Sequence, residues 1–296
     1  MKLVNISSIS FLLDSLRENE ILDMVAESIR NNTDIVLLPE TCTGAGSDKL
    51  HSMNDTFMSR IKQLAKKHTV YILCPVYLKC DGNARYNSAV LFDRRGEVAM
   101  LYNKTYPYWM EYGLNPPTNP GNGAYVASTD FGTVSTLTCF DVNFPSLWEG
   151  IAAQGAEIVF WTSAYSGGLQ LSAHALNYHY MIVTATGYAD CAVFDMDGRE
   201  IYYKYENGRP VISYIALDLD RVVCHSDFNE DKIEKLQKEH PEVDIQHHYK
   251  REHWYVLNSK DPVCNVRELC GEYKIENLRD YKMRSKIYAD NARPKT

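Results

Sequence analysis

No run of apolar residues in this chain is long enough to cross a bilayer as a helix, which sets aside an integral helical membrane protein. Excess positive charge is also missing. The 31 Lys and Arg against 38 Asp and Glu leave a net charge of −7, with no basic stripe interleaved with aromatics. A nucleic-acid partner is therefore not expected. The eight cysteines, at 42, 74, 80, 139, 191, 224, 264 and 270, form no C-x-x-C pair, and several lie in apolar runs such as YILCPVY. That pattern predicts reduced, mostly buried thiols and not a disulfide framework. His174 and His179 are five apart and face different ways on a helix, unlike the H-x-x-x-H of zinc sites. His247, His248 and His253 fall in a polar stretch and are expected to face solvent, so no metal is expected. The segment GNGAYV lacks the Lys-Ser/Thr of a phosphate-cradling loop, and no cofactor is expected. At the N-terminus, Asn5, the serines and Asp14 interrupt the apolar stretch and no small-x-small cleavage site follows. The expectation is a soluble, cytoplasmic protein with no membrane partner.

What is present is an ordinary globular composition, 45% hydrophobic and 23% charged over 296 residues, enough to bury a core without disulfide or metal staples. Periodicity gives alternating helices and strands. NEILDMVAESIRNN has helical spacing, and TDIVLLPE follows as a buried strand. FMSRIKQLAKKH is a second helix, VYILCPVYL a strand, and NSAVLFDRRGEVAMLYNK two strands joined near Arg95-Gly96. The order then recurs in STLTCFD, PSLWEGIAAQG, AEIVFWTSA, LSAHALNYHY, MIVTATGYA and DCAVFDMDGREIYYK, with Asp93 matching Asp195 and Gly96 matching Gly198. This is an internal duplication of one β/α unit. Two such halves, each a sheet with helices on one face, predict a four-layer α-β-β-α sandwich over residues 1–224. Beyond it, residues 225–296 read as an extension: a charged helix at HSDFNEDKIEKLQKEH, then a polar, irregular stretch up to NLRDYKMRSKIYAD. The extension is expected to pack on the domain or on a partner subunit.

Three polar residues close apolar strands in this layout: Glu40 ends TDIVLLPE, Lys104 ends VAMLYNK, and Cys139 ends STLTC. Sites in open α/β architectures assemble at the carboxyl ends of strands. Singly, each has a bland explanation, since a thiol in a strand usually just packs and a charged strand end is usually solvated. Their conjunction points to chemistry.

With its flanks, that conjunction resembles the nitrilase (carbon–nitrogen hydrolase) superfamily. The matching segments are LLPE with Glu40, YNKTYPYWMEYG with Lys104 and Glu111, TCFDVNFPSLWEGIAAQGAEIVFWTSA with Cys139, and CAVFDMDGREI, so the likeness covers roughly residues 20–220. The family's αββα fold agrees with the duplication. The resemblance implies Cys139 as nucleophile, Glu40 as general base and Lys104 as stabiliser of the oxyanion. It also implies Glu111 as an additional acid that positions the substrate or the lysine. The N–H of Phe140 is a candidate second oxyanion donor. Tyr108 and Trp109, with Phe140 and Tyr165, are expected to wall the substrate pocket.

The run Cys139-Phe140-Asp141-Val142-Asn143-Phe144-Pro145 is similar to the C-Y-D-x-x-F-P of the amidase-like branch. Nitrile hydrolysers typically show C-W-E, and many carbamoyl hydrolysers C-Y-D followed by an arginine that is missing here. The implied activity is hydrolysis of a small-molecule amide. N-carbamoyl hydrolysis or nitrile hydrolysis is the alternative within the family, and a catalytically silent scaffold the alternative outside it. One departure is Asn177, in His174-Ala175-Leu176-Asn177-Tyr178, where many relatives carry the acid of R-A-x-E-N. Relatives are commonly dimers or larger, so a homo-oligomer is expected.

Overall fold

The computed structural model describes residues 2–46, 49–80 and 84–294. They fall into two units, one of residues 4–216 and one of 217–296 with the first three residues.

The larger unit carries the duplication. Its first half runs β1 (Leu3–Ser10), α1 (Glu18–Ser28), β2 (Ile35–Leu37), α2 (Thr56–His68), β3 (Tyr71–Lys79), β4 (Arg85–Phe92) and β5 (Val98–Asn103). The second half, after the short β6 (Ala127–Ser128), runs β7 (Thr133–Thr138), α3 (Pro145–Ala153), β8 (Ile158–Ser163), α4 (Leu169–Tyr178), β9 (Met181–Thr186), β10 (Asp190–Phe194) and β11 (Glu200–Tyr205). A last strand, β12 (Val211–Asp218), returns to the first sheet. The sheets are six-stranded, ordered β12-β1-β2-β3-β4-β5 and β11-β10-β9-β8-β7-β6. In each, three strands run parallel and the next two are antiparallel. The repeat extends to defects. A bulge falls at Leu91/Phe92 in one half and at Val193/Phe194 in the other. Each is followed by a turn in which Gly96 or Gly198 has a φ of about +80° (+79° and +83°), a conformation that glycine adopts without strain.

Local sequence explains the elements. In α1, Ile21, Leu22 and Val25 face the core, and Glu18 and Glu20 sit at the positive N-terminal end. Asp55 caps α2 by accepting from the Met58 N–H at 2.9 Å, and Lys66, Lys67 and His68 occupy its last turn. One apolar core joins both helices to the outer face of the first sheet. The inner faces of the sheets meet through polar as well as apolar contacts. Ser8 Oγ donates to the Thr184 carbonyl at 2.7 Å, and Ser10 Oγ accepts from the Thr186 N–H at 2.9 Å. The result is the four-layer α-β-β-α sandwich of two similar halves.

The smaller unit corrects the reading of an irregular tail. Residues 243–249 and 254–259 form β14 (Val243–Tyr249) and β15 (Trp254–Ser259), which build an antiparallel sheet with β13 (Val222–His225) in the order β13-β15-β14. Helices α5 (Glu230–Glu239), α6 (Val266–Glu272) and α7 (Leu278–Ala292) accompany it. Cys224, Leu236, Val243, Leu257 and Val266 form part of a separate apolar core. The histidines and charges of this stretch masked the strands, because only alternate positions point inward. The change of unit also comes before β13, not after residue 224, because β13 pairs with β15. Among the described residues no helix is long and apolar enough to cross a membrane.

Arg94 ties the loops of the larger unit, donating to Asp34 at 2.7 Å, to Asp130 at 2.6 Å and to the Thr69 carbonyl at 2.8 Å. Arg94→Ala is expected to lower the unfolding free energy by about 1–2 kcal/mol in a denaturant titration. Arg94→Lys should recover less than half of that, since a point charge cannot span both carboxylates. Full recovery by lysine would rule out the forked geometry as the source.

Candidate active site

Glu40, Lys104, Glu111 and Cys139 are far apart in sequence and converge at one end of the two sheets. Glu40 lies just past β2, and Lys104 directly after β5, where its N–H donates to the Asn87 carbonyl at 2.8 Å. Glu111 stands in a 3-10 turn, Trp109–Gly113, beyond β5. Cys139 follows β7 and opens a second 3-10 turn, Cys139–Asn143, which separates it from α3.

The Lys104 ammonium is 1% exposed and lies between two carboxylates, 2.8 Å from Glu40 Oε1 and 2.6 Å from Glu111 Oε1. Burial works against its charge, but Glu40 first, then Cys139 and Glu111, more than offset that, and its pKa is raised. The Cys139 thiol lies within reach of the Glu40 charge. Burial first, then the Glu40 charge, push its pKa up against the pull of Lys104, so the resting sulfur is a thiol and needs a base. Both Glu40 oxygens are engaged, since Oε2 accepts from the Ala164 N–H at 2.7 Å.

The turn at Cys139 is strained and clamped. Cys139 has φ +49°, a left-handed conformation that costs a non-glycine residue about 1–2 kcal/mol. Four side chains hold it. The Trp161 indole donates to the Cys139 carbonyl at 3.2 Å and the Trp148 indole to the Asp141 carbonyl at 3.1 Å. His174 Nε2 meets the Val142 carbonyl at 2.9 Å. The buried Asp141 carboxylate accepts from the Tyr102 hydroxyl at 2.6 Å, the Tyr106 N–H at 2.9 Å and the Thr138 N–H at 3.0 Å. Phe140 is the second residue of this turn, where backbone N–H groups have no partner within the turn.

Of the expected pocket residues, Tyr108 packs on Phe140 at 5.6 Å between ring centres and on Trp109 at 5.4 Å. Trp109 is 68% exposed. Tyr165 stands apart from this group, edge-on to Trp161 at 5.4 Å. Burial, then the charges of Cys139 and Glu40, hold its hydroxyl up to about 12, which puts it beside the reactive groups. Among the described residues no set of three or more His, Cys, Asp or Glu is placed to hold a metal.

Residues 18–223 match the carbon-nitrogen hydrolase family. The chain belongs to that family. Several solved structures share its fold. An amidase of the nitrilase superfamily from Nesterenkonia AN1 aligns with a TM-score of 0.63 at 20% identity, over 80% of this chain and 97% of that one. A branch 10 member of the superfamily from Saccharomyces cerevisiae gives 0.62 at 17%, over 81% and 95%. Among curated relatives, deaminated glutathione amidase of Yersinia enterocolitica is 24% identical over 49% of this chain and 56% of its own length. N-carbamoylputrescine amidase of Oryza sativa subsp. japonica is 28% identical over 54% and 58%, and human pantetheinase 26% over 53% and 36%. The chain spans about a third to just over half of the length of these relatives.

Sequence reasoning missed three participants in this candidate site. Asn87 Nδ2 lies 2.8 Å from Glu40 Oε1 and 3.0 Å from Glu111 Oε2. The Tyr77 hydroxyl donates to Glu111 Oε2 at 3.2 Å. Asp141 was visible in the motif but without its stapling role. For Asn87 the signal was a polar residue in the apolar run NSAVLF, since a polar side chain inside a buried strand must find a partner.

Asp141 supplies a pH test. Burial outweighs its three hydrogen bonds and raises its carboxyl from the ordinary 3.8 to about 6. A carboxyl with a raised pKa binds its proton more tightly in the folded state. Its stabilising contribution is therefore present below about pH 4 and lost as pH rises through about 6, a change of about 3 kcal/mol. The stability of the wild type relative to Asp141→Asn, from urea titrations, is expected to fall across that window. A difference that stays constant with pH would contradict this environment for Asp141.

Proposed function

We propose that this chain hydrolyses the C–N bond of a small amide through a thioester on Cys139. The observation that carries the reading is the buried Lys104 ammonium shared by two carboxylates, one of which, Glu40, acts electrostatically on a buried thiol. A binding surface has no use for that set, and its desolvation costs several kcal/mol per ion.

Glu40 takes the thiol proton as sulfur attacks the carbonyl carbon. Lys104 Nζ and the Phe140 N–H face the oxyanion that forms. The proton on Glu40 passes to the departing nitrogen, because an amide anion is too poor a leaving group, and ammonia or an amine departs. Water then attacks the thioester, giving one proton to Glu40, which returns it to sulfur as the acid product leaves. Glu111 keeps its contact with Lys104 and holds the ammonium in place.

The relatives include both amidases and N-carbamoyl hydrolases. The run after Cys139 lacks the arginine associated with carbamoyl substrates, which favours the amide. Small amides, N-carbamoyl compounds and nitriles should be tested side by side. Ammonia without carbon dioxide is expected from amides alone, and Cys139→Ala should abolish it. Lys104→Met should cost about 10²–10³ in kcat, the loss typical of one oxyanion donor. Carbon dioxide with the ammonia would move the substrate to the carbamoyl class, and no turnover of any of the three would overturn the hydrolase reading.

A further inference from the structure

Two carboxylates flank one lysine, and only one of them can be the base. A carboxylate offers about four lone-pair positions. On Glu111 all four are taken: Lys104 Nζ at 2.6 Å and the Tyr108 N–H at 2.8 Å on Oε1, Asn87 Nδ2 at 3.0 Å and the Tyr77 hydroxyl at 3.2 Å on Oε2. On Glu40 three are taken by protein donors: Lys104 Nζ and Asn87 Nδ2, both at 2.8 Å, and the Ala164 N–H at 2.7 Å. The fourth has no protein donor among the described residues, and Cys139 is close enough to feel the Glu40 charge.

Asn87 is the one side chain besides Lys104 shown bonding to both acids. It sits on β4, is 1% exposed, and also anchors the lysine through its backbone carbonyl. Its Nδ2 must face the acids, because an amide oxygen there would oppose a carboxylate oxygen. The consequence is that the buried Oδ1 accepts no hydrogen bond from the described residues. Such an orphan typically costs about 1–3 kcal/mol. A purely structural residue in a β-strand would avoid that cost with an apolar side chain.

We infer that Asn87 is a positioning residue that assigns the roles of the two acids, one N–H of its amide completing the shell of Glu111 and the other orienting Glu40 toward Cys139. Glu111 becomes a fixed counter-ion, and Glu40 keeps one lone pair for the thiol proton. This rests on the proposed reaction, in which Glu40 is the base. The titratable groups facing the two acids are Lys104 after β5, Tyr77 on β3, and Cys139 and Tyr165 beyond β7 and β8.

The test is the rate of Cys139 alkylation by iodoacetamide between about pH 3.5 and 9, a window that spans the ordinary carboxylate range, located by peptide mass, which needs no knowledge of the substrate. In the wild type the rate should fall on the acid side as Glu40 takes up a proton. Removing a donor from a carboxylate favours its protonated form. Asn87→Ala is therefore expected to move that acid limb up by about one pH unit, a tenfold lower rate on the limb. Asn87→Asp, of the same shape, keeps the test open if the alanine variant does not fold, and should move the limb further in the same direction by adding a third carboxylate. Tyr77→Phe, which removes a donor from Glu111 alone, should not move it upward. A uniform loss of rate in the Asn87 variants with an unmoved limb would overturn the inference, as would an equal upward shift in Tyr77→Phe. Absence of the acid limb in the wild type would instead overturn the role of Glu40, and so separate failure of the reaction from failure of Asn87.

Discussion

The rest of this site depends on one buried ammonium. Lys104 has two carboxylates within hydrogen-bond distance and almost no contact with solvent, so the cluster carries a net negative charge in a low-dielectric place. Removing one partner of such a buried pair typically costs about 3–5 kcal/mol. The same cluster sets the state of the thiol, because the charge of Glu40 keeps the proton on sulfur while offering somewhere for it to go. The carboxylates, the ammonium and the thiol therefore form one electrostatic unit, not a set of independent residues.

Holding that unit together explains features of the fold that packing alone would not require. Glu40 and Lys104 come from the first sheet and Cys139 from the second, so the unit exists only when the two sheets meet in register. The polar contacts of Ser8 and Ser10 across the inner faces help to fix that register. Gly121 has a similar purpose on the lysine side. Its N–H donates to the Lys104 carbonyl at 2.9 Å, and a Cβ at that position would lie 2.0 Å from the Asn103 carbonyl oxygen. On the thiol side, the left-handed Cys139 is kept in place by two tryptophans, a histidine and the Asp141 carboxylate. Strain at Cys139 is tolerated because its surroundings over-determine it.

Much of this was legible in the sequence, and the limits are physical. The duplication could be read because each half repeats the same periodicities, and the structure carries the match down to a shared bulge and turn. Glu40, Lys104 and Cys139 stood out because a polar residue that closes an apolar strand is conspicuous. Asn87 did not, because one polar residue inside a strand has no partner that sequence alone can supply; its partners lie 47 and 24 residues away. The smaller sheet of the C-terminal unit was hidden by polar and aromatic positions alternating at the surface of β14. Tyr165 was named for a pocket wall, and its place beside Cys139 rests on the close approach of β8 to β7.

The most direct test of the account is the covalent state of Cys139 during turnover. Wild-type protein mixed with a small amide and quenched in acid within the first turnovers should carry the acyl group as a thioester on the Cys139 peptide. The adduct should vanish once the substrate is spent. Ammonia release with Cys139 unmodified at every time point, or with the acyl group on another cysteine, would contradict it.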